Sequence, residues 1–159
     1  DFYEYAKVDG VGQMAGWLPH KDIEESRTVL GFFIRDKKTF AIVLKESGKV
    51  NGSLGLEERD GEPEVPKDSM GREIGYAISK DYWGRGLTPE AVKAVIDYCF
   101  KELDFDWLTC GHFVRNNRSR RVIEKCGFRY VKNTVSRPRT GTTEDTLLYI
   151  LYRPDRPFS

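Results

Sequence analysis

The chain has 159 residues, 39% hydrophobic and 13% aromatic, a make-up that suits one folded domain and excludes a disordered segment. With 26 Lys and Arg against 25 Asp and Glu, the formal net charge is +1, without the basic excess of a dedicated nucleic-acid binder. No apolar run approaches the roughly 18 residues that span a bilayer and no signal peptide is visible, so neither DNA nor a membrane is an expected partner.

The first residues carry a weak helical pattern (Phe2, Tyr3, Tyr5, Ala6), which Gly10, Gly12 and Gly16 interrupt. In PHKDIEESRTVLGFFIRDKK, Asp22 predicts a helix N-cap and Glu25, three residues on, completes a capping box. Ile23, Val29, Leu30, Phe33 and Ile34 then follow at near-helical spacing. TFAIVLKESGKVNGSLGLEE reads as a hairpin, with apolar runs at 40–44 and 50–56 flanking Ser47-Gly48. The polar stretch 57–71, with Pro63 and Pro66, is a surface loop.

REIGYAIS is a strand with Ile74, Tyr76 and Ile78 on one face and Glu73, Gly75 and Ala77 on the other. A helix follows, marked by Ala91, Val92, Val95, Ile96, Cys99, Phe100 and Leu103. Thr88 as N-cap, Pro89 at the first helical position and Glu90 in the first turn set its expected start. DWLTCGHFV is the next strand, and NNRSRRVIEKCGF is a short helix that stops at Gly127. RYVKNTVS and DTLLYILYR form a closing hairpin around Gly141.

The strand–helix–strand unit from 73 to 114 demands a parallel pair. The other strands read as antiparallel. The expected fold class is therefore mixed α/β, with helices on the sheet faces and residues 1–159 as a single domain. Cys99, Cys110 and Cys126 are odd in number, form no CxxC and sit in apolar or helical contexts. Buried reduced thiols, a cytoplasmic setting and no metal centre are expected from them.

The stretch YWGRGLTPEA, residues 82–91, raises the first chemical question. Gly84 and Gly86 let a ligand approach the backbone and let successive N–H groups point inward. The helix behind them adds unpaired N–H groups and the positive end of its dipole. A phosphate cradle and a plain strand-to-helix connector both fit this spacing. No Lys-Ser or Lys-Thr follows, so it is not a Walker A loop, and Pro89 replaces the third glycine of the dinucleotide fingerprint. In NNRSRRVIEKCGF, Asn116 and Ser119 share one side of a helical turn, where they can face a ligand, or Asn116 or Asn117 simply caps the helix.

Taken together, EIGYAISKDYWGRGLTPEAVKAVIDYCF and NNRSRRVIEKCGF resemble the GNAT superfamily of acetyl-CoA-dependent N-acetyltransferases. Within it they look most like the RimJ/RimL-like ribosomal-protein N-terminal acetyltransferases. The resemblance covers nearly the whole chain and implies a mostly antiparallel sheet with one parallel pair splayed around the cofactor. It implies that Trp83, Gly84, Arg85, Gly86, Leu87 and Thr88, on the family's Q/R-x-x-G-x-G/A motif, hold the coenzyme A pyrophosphate. Ala77 and Ile78 would pair through their backbone with the pantetheine arm. Asn116 would contact the cofactor, and Ser119 would donate to the leaving thiolate.

Trp83 stands where the general motif has Gln or Arg, and Thr88 where Gly or Ala is usual. Ile123 occupies the place where many GNAT enzymes carry a tyrosine general acid. The family's first strand would precede Asp1 and is expected to be missing here.

The implied reaction moves an acetyl group from acetyl-CoA to a primary amine, either a protein N-terminus such as a ribosomal protein's or a small-molecule amine. A homodimer is the implied assembly. A coenzyme A-binding regulatory module with weak or no turnover is the alternative, and an RNA-associated protein is a third reading. Three residues are open as the base: Glu73 beside the cofactor, acting directly or through water, His112 on the next strand, and His20 in LPHKD. Backbone N–H groups near Ile78 would stabilise the oxyanion. Arg115, Arg118, Arg120 and Arg121 admit three readings: cofactor phosphate, RNA, or a solvated helix face with Glu124 paired to Arg120 or Arg121.

Overall fold

Six strands build the sheet of the computed structural model, which describes residues 1–58 and 65–156. They are β1 (Thr39–Val43), β2 (Val50–Glu57), β3 (Gly71–Ile78), β4 (Trp107–Phe113), β5 (Arg129–Ser136) and β6 (Glu144–Tyr152), in the spatial order β1-β2-β3-β4-β6-β5. β3 and β4 run parallel, and the other neighbouring pairs are antiparallel. The expected hairpins and the parallel pair are all present. The loop expected at 57–71 lies in part, Pro63 included, outside the described residues.

Among the described residues four α-helices accompany the sheet: α1 (Phe2–Ala6), α2 (Ile23–Asp36), α3 (Leu87–Lys101) and α4 (Asn117–Lys125). α1 ends at Ala6 with Lys7 as its C-cap, and a single 3-10 turn at Gly12–Met14 follows. Asp22 caps α2 by accepting the Glu25 N–H at 2.8 Å, and the Glu25 carboxylate accepts from the Lys21 N–H at 2.7 Å. The capping box thus reaches one residue further back than its usual partner.

The two faces carry separate apolar clusters. Leu54, Ile74, Val92, Cys99, Leu108 and Ile123 are almost wholly buried between the sheet and the pair α3 and α4. Each large aliphatic there contributes about 1.5–3 kcal/mol of burial. Tyr5, Ala6, Val11 and Ala77 form the smaller cluster under α1. This split follows the strand alternation, which sends Ile74 one way and Ala77 the other.

The start of α3 departs from expectation. Gly86, not Thr88, is the N-cap, with φ 77° in the left-handed region where only glycine is unstrained. That turn brings the chain into the helix two residues early. Thr88 is then inside the first turn, buried, and no side-chain capping bond forms there. Pro89 falls at the third helical position, still within the turn whose N–H groups have no intrahelical acceptor.

All three cysteines are free and buried. Burial pushes the Cys99 thiol up to about 11 and raises those of Cys110 and Cys126, which keeps them protonated and unreactive.

Candidate active site

The parallel pair does not run the length of its strands. β3 and β4 are in register from Gly71 opposite Trp107 to Ile74 opposite Cys110, and then they part. Beyond that point β3 stays with β2 as far as Ile78 opposite Gly52, and β4 stays with β6 as far as Phe113 opposite Thr146. A V-shaped opening results in the middle of the sheet. It belongs to a cleft of about 1230 Å³ that runs from the α1 and α2 side to the glycine loop. That volume exceeds the few hundred to about 1,000 Å³ of an ordinary small-molecule pocket, so it has room for a long ligand and a second one.

Backbone direction along β3 decides which groups face the opening. The Ser79 N–H donates to the Asn51 carbonyl at 2.8 Å, and the Ala77 carbonyl is turned towards Gly52, so both residues point at β2. Alternation turns Tyr76 and Ile78 into the V. Of the two residues expected to pair with a pantetheine arm, Ile78 faces the opening and Ala77 does not. Ala77 supports it from below, with its side chain in the α1 cluster. The Ile78 carbonyl accepts the indole N–H of Trp83 at 3.0 Å.

The glycine loop closes one end of the cleft. Gly84 and Gly86 have φ 75° and 77°, and a Cβ on either would meet nothing within 4 Å. Glycine is needed there for the backbone turn and not for lack of space. Among the described residues no acceptor meets the backbone N–H of Gly84, Arg85, Gly86, Leu87 or Thr88. Five successive free donors ahead of α3 make an anion cradle.

Arg118 lies over the Trp83 ring with its guanidinium carbon 3.7 Å from the centroid, which ties the loop to α4. Arg85 lies over Tyr82 at 5.2 Å. Arg121 and Lys125, one helical turn apart, line the same cleft. The arginine group read from the sequence is therefore divided. Arg115 makes a bidentate pair with Glu144 at 2.9 and 3.1 Å, and Arg120 pairs with Glu124 at 2.9 Å. Only Arg118 and Arg121 of the four line the cleft.

Asn116 caps α4, with its Oδ1 accepting the Ser119 N–H at 3.2 Å and its Nδ2 donating to the Met14 carbonyl at 3.4 Å. Its cap role is thus seen directly, while its place on the cleft wall leaves it beside any bound ligand. Ser119 lies one turn into the helix, and its Oγ is 2.8 Å from the Tyr76 hydroxyl. Tyr76 was legible in the sequence only as a strand-face residue. Nothing in the local pattern marks it, because its partner is 43 residues away.

The three candidate bases are set apart by the sheet. Glu73 is opposite Thr109, on the face of Gly75, Ala77 and Gly111. Its carboxylate lies 3.4 Å from where a Gly111 Cβ would be, so the missing side chain opens the floor beside it. His112 points to the other face, where its Nδ1 bonds the Phe113 carbonyl at 2.9 Å and its Nε2 is 3.4 Å from the Tyr149 hydroxyl. A ring nitrogen facing a carbonyl donates, so Nδ1 is taken up there, and Nε2 is already paired with the Tyr149 hydroxyl. His20 is buried between Phe2 and Trp17, with Nδ1 2.7 Å from Ser26 Oγ. Burial lowers its pKa, against a smaller opposing pull from Glu25.

The V is therefore flanked by a carboxylate on one face and a hydroxyl pair on the other, with an anion cradle at its end. Among the described residues no group of three or more His, Cys, Asp or Glu is placed to hold a metal ion, and no helix is long and apolar enough to cross a membrane.

Comparison with known proteins gives this arrangement its context. The model of the acetyltransferase (GNAT) domain matches residues 1–129. A probable N-acetyltransferase of Bacillus subtilis, YjcK, is 38% identical over 85 residues, which are 52% of this chain and 46% of that protein. The chain thus spans about half the length of this curated relative. Among solved structures, a GNAT-family acetyltransferase from Bacillus anthracis superposes with a TM-score of 0.80 at 22% identity, covering 94% of this chain and 86% of that one. A spermidine N-acetyltransferase from Vibrio cholerae in complex with CoA and spermine gives 0.73 at 16% identity, with coverages of 94% and 86%. These two likenesses show the fold, and the family match over most of the chain settles the kinship. The chain belongs to the acetyltransferase (GNAT) domain family, whose members use acetyl-CoA.

Proposed function

We propose that the protein transfers the acetyl group of acetyl-CoA to a primary amine that enters from the α1 and α2 side of the sheet. The observation that carries this reading is the V between β3 and β4, with Glu73 on one face and Ser119 on the other. The cradle residues fit the coenzyme: five free N–H groups from Gly84 to Thr88, with Arg118 and Arg121 close by, suit a pyrophosphate. The gap-facing backbone of Tyr76 and Ile78 suits an amide-bearing arm. Acetyl-CoA, when bound, supplies the thioester whose acyl carbon the amine attacks.

The chain's own residues do the rest. Glu73 accepts the proton that the amine must lose. An α-amine, with a pKa of about 7.7–8.0, needs little help at neutral pH, whereas a lysine-type amine near 10.4 depends on the base. The gap-facing N–H of Ile78 hydrogen-bonds the developing oxyanion. Ser119 donates a hydrogen bond from its hydroxyl to the departing sulfur. Base and donor act from opposite faces, so the amine arrives on one side of the sheet and the thiol departs on the other.

The acceptor is a protein N-terminus, such as that of a ribosomal protein, or a small-molecule amine. The three buried thiols suit action in the cytoplasm. The test is release of free coenzyme A thiol from acetyl-CoA, read with a thiol reagent, across peptides with free N-termini, polyamines and amino acids. At least one class is expected to accelerate release. Tight binding of acetyl-CoA with no acceleration by any amine would replace this reading with that of a coenzyme A-binding regulatory module.

A further inference from the structure

The proposed chemistry leaves the Tyr76 hydroxyl, on the wall of the cleft, without a task. It stands on β3, two residues past the last β3–β4 pair, with its ring packed against the main core. Its hydroxyl reaches α4 and lies 2.8 Å from Ser119 Oγ and 3.3 Å from the Ser119 carbonyl oxygen. A phenol has one proton to donate. Given to the carbonyl, it leaves the phenol oxygen to accept the Ser119 Oγ–H, and Ser119 then has nothing to offer a ligand. Given to Oγ, it frees the Ser119 proton to point into the cleft. The 2.8 Å contact between the two hydroxyls is common to both arrangements, and the second is the one that leaves a Ser119 proton for a ligand in the cleft.

Resting on the acetyl-transfer reading, we infer that Tyr76 is the positioning residue of Ser119: it donates to Ser119 Oγ and so aims the Ser119 proton at the leaving sulfur. No covalent bond to either residue forms or breaks. The bond from the amine nitrogen to the acyl carbon forms, the amine's proton goes to Glu73 and on to water, the C–S bond breaks, and the sulfur leaves as a thiolate, held by the Ser119 O–H, that takes one proton back from water. Burial raises the Tyr76 phenol well above its ordinary range, which keeps the donor proton in place at every working pH. The tyrosine acid that the family resemblance implies has no counterpart at position 123, where this chain carries Ile123.

Three variants and two readouts test this. Tyr76→Phe keeps the ring in the core and removes only the hydroxyl. Its kcat is expected to fall about tenfold, the scale of one lost hydrogen bond, with KM for acetyl-CoA unchanged. Ser119→Ala is expected to lose at least as much, and the double variant no more than Ser119→Ala alone. In the ligand-free chain, NMR couplings between the Ser119 α and β protons are expected to report one rotamer in the native protein and averaging in Tyr76→Phe. A Tyr76→Phe loss that adds in full to Ser119→Ala, or a coupling unchanged by the substitution, overturns the assignment. The NMR arm needs no turnover, so it still decides on Tyr76 if every amine fails in the parent assay.

Discussion

Glu73 and His112 stand on adjacent strands but on opposite faces of the sheet, because Glu73 is in register with Thr109 and His112 lies an odd number of residues further on. Of the two, only Glu73 shares a face with α1 and the proposed amine entrance. Glu73→Gln is expected to lower kcat by about 10²-fold on an amine of high pKa. The deficit should shrink as pH rises towards that amine's own pKa, where no base is needed. His112→Phe should leave kcat alone and lower the melting temperature, since it strips partners from the Phe113 carbonyl and the Tyr149 hydroxyl. A pH–rate profile and a thermal melt of each variant decide the matter. Loss of turnover confined to His112→Phe would reverse the assignment.

The glycine loop makes a separate prediction. Gly86→Val meets no clash in the free chain but forces a β-branched residue to φ 77°, at a cost of about 1–2 kcal/mol. It also crowds the cradle. Coenzyme A affinity, measured by titration calorimetry, should fall about 5- to 30-fold, the equivalent of that strain appearing in binding. Gly48→Ala, in the β1–β2 turn at φ 69°, should cost stability and leave the affinity as it was.

Arg118 and Arg120 are two residues apart and point to different partners. Arg118 covers Trp83 beside the loop, while Arg120 pairs with Glu124 on the outer face of α4. Arg118→Ala should weaken coenzyme A binding and flatten its dependence on salt. Arg120→Ala should change neither, as an exposed i,i+4 pair contributes a few tenths of a kcal/mol. Equal effects from both would point instead to a diffuse basic surface.

His20 adds a pH dependence to stability. Its folded pKa is depressed below the ordinary 6.5 by burial, so between the two values the unfolded chain binds more protons. Its contribution is complete above 6.5 and is lost as pH falls through the depressed folded value. The melting temperature should therefore drop on acidification below pH 6.5. His20→Gln, which keeps a polar partner for Ser26, should flatten that part of the curve.

The sheet was largely legible because strand patterns are local. RYVKNTVS coincides with β5, and the alternation of Ile74, Tyr76 and Ile78 with Glu73, Gly75 and Ala77 is the division of the two apolar clusters. The α3 boundary was not. Thr88 and Pro89 carry the composition of a helix start, but Gly86 turns the chain into the helix first, and that turn depends on a backbone dihedral that composition does not report. Asn116 was legible both as a cap and as a cleft residue, and it is both.

By itself the sequence determined the glycines at the loop, a cap at Asn116 or Asn117, the order of strands and helices and, through the strand–helix–strand unit, the parallel pair, because each is read from contiguous stretches of chain. Tertiary structure alone decided that Tyr76 meets Ser119 across 43 residues, that Ile78 and not Ala77 faces the opening, and that Glu73 and His112 are divided by the sheet. These depend on strand register and on the docking of α4, and a shift of one residue in register would turn each of those side chains to the other face.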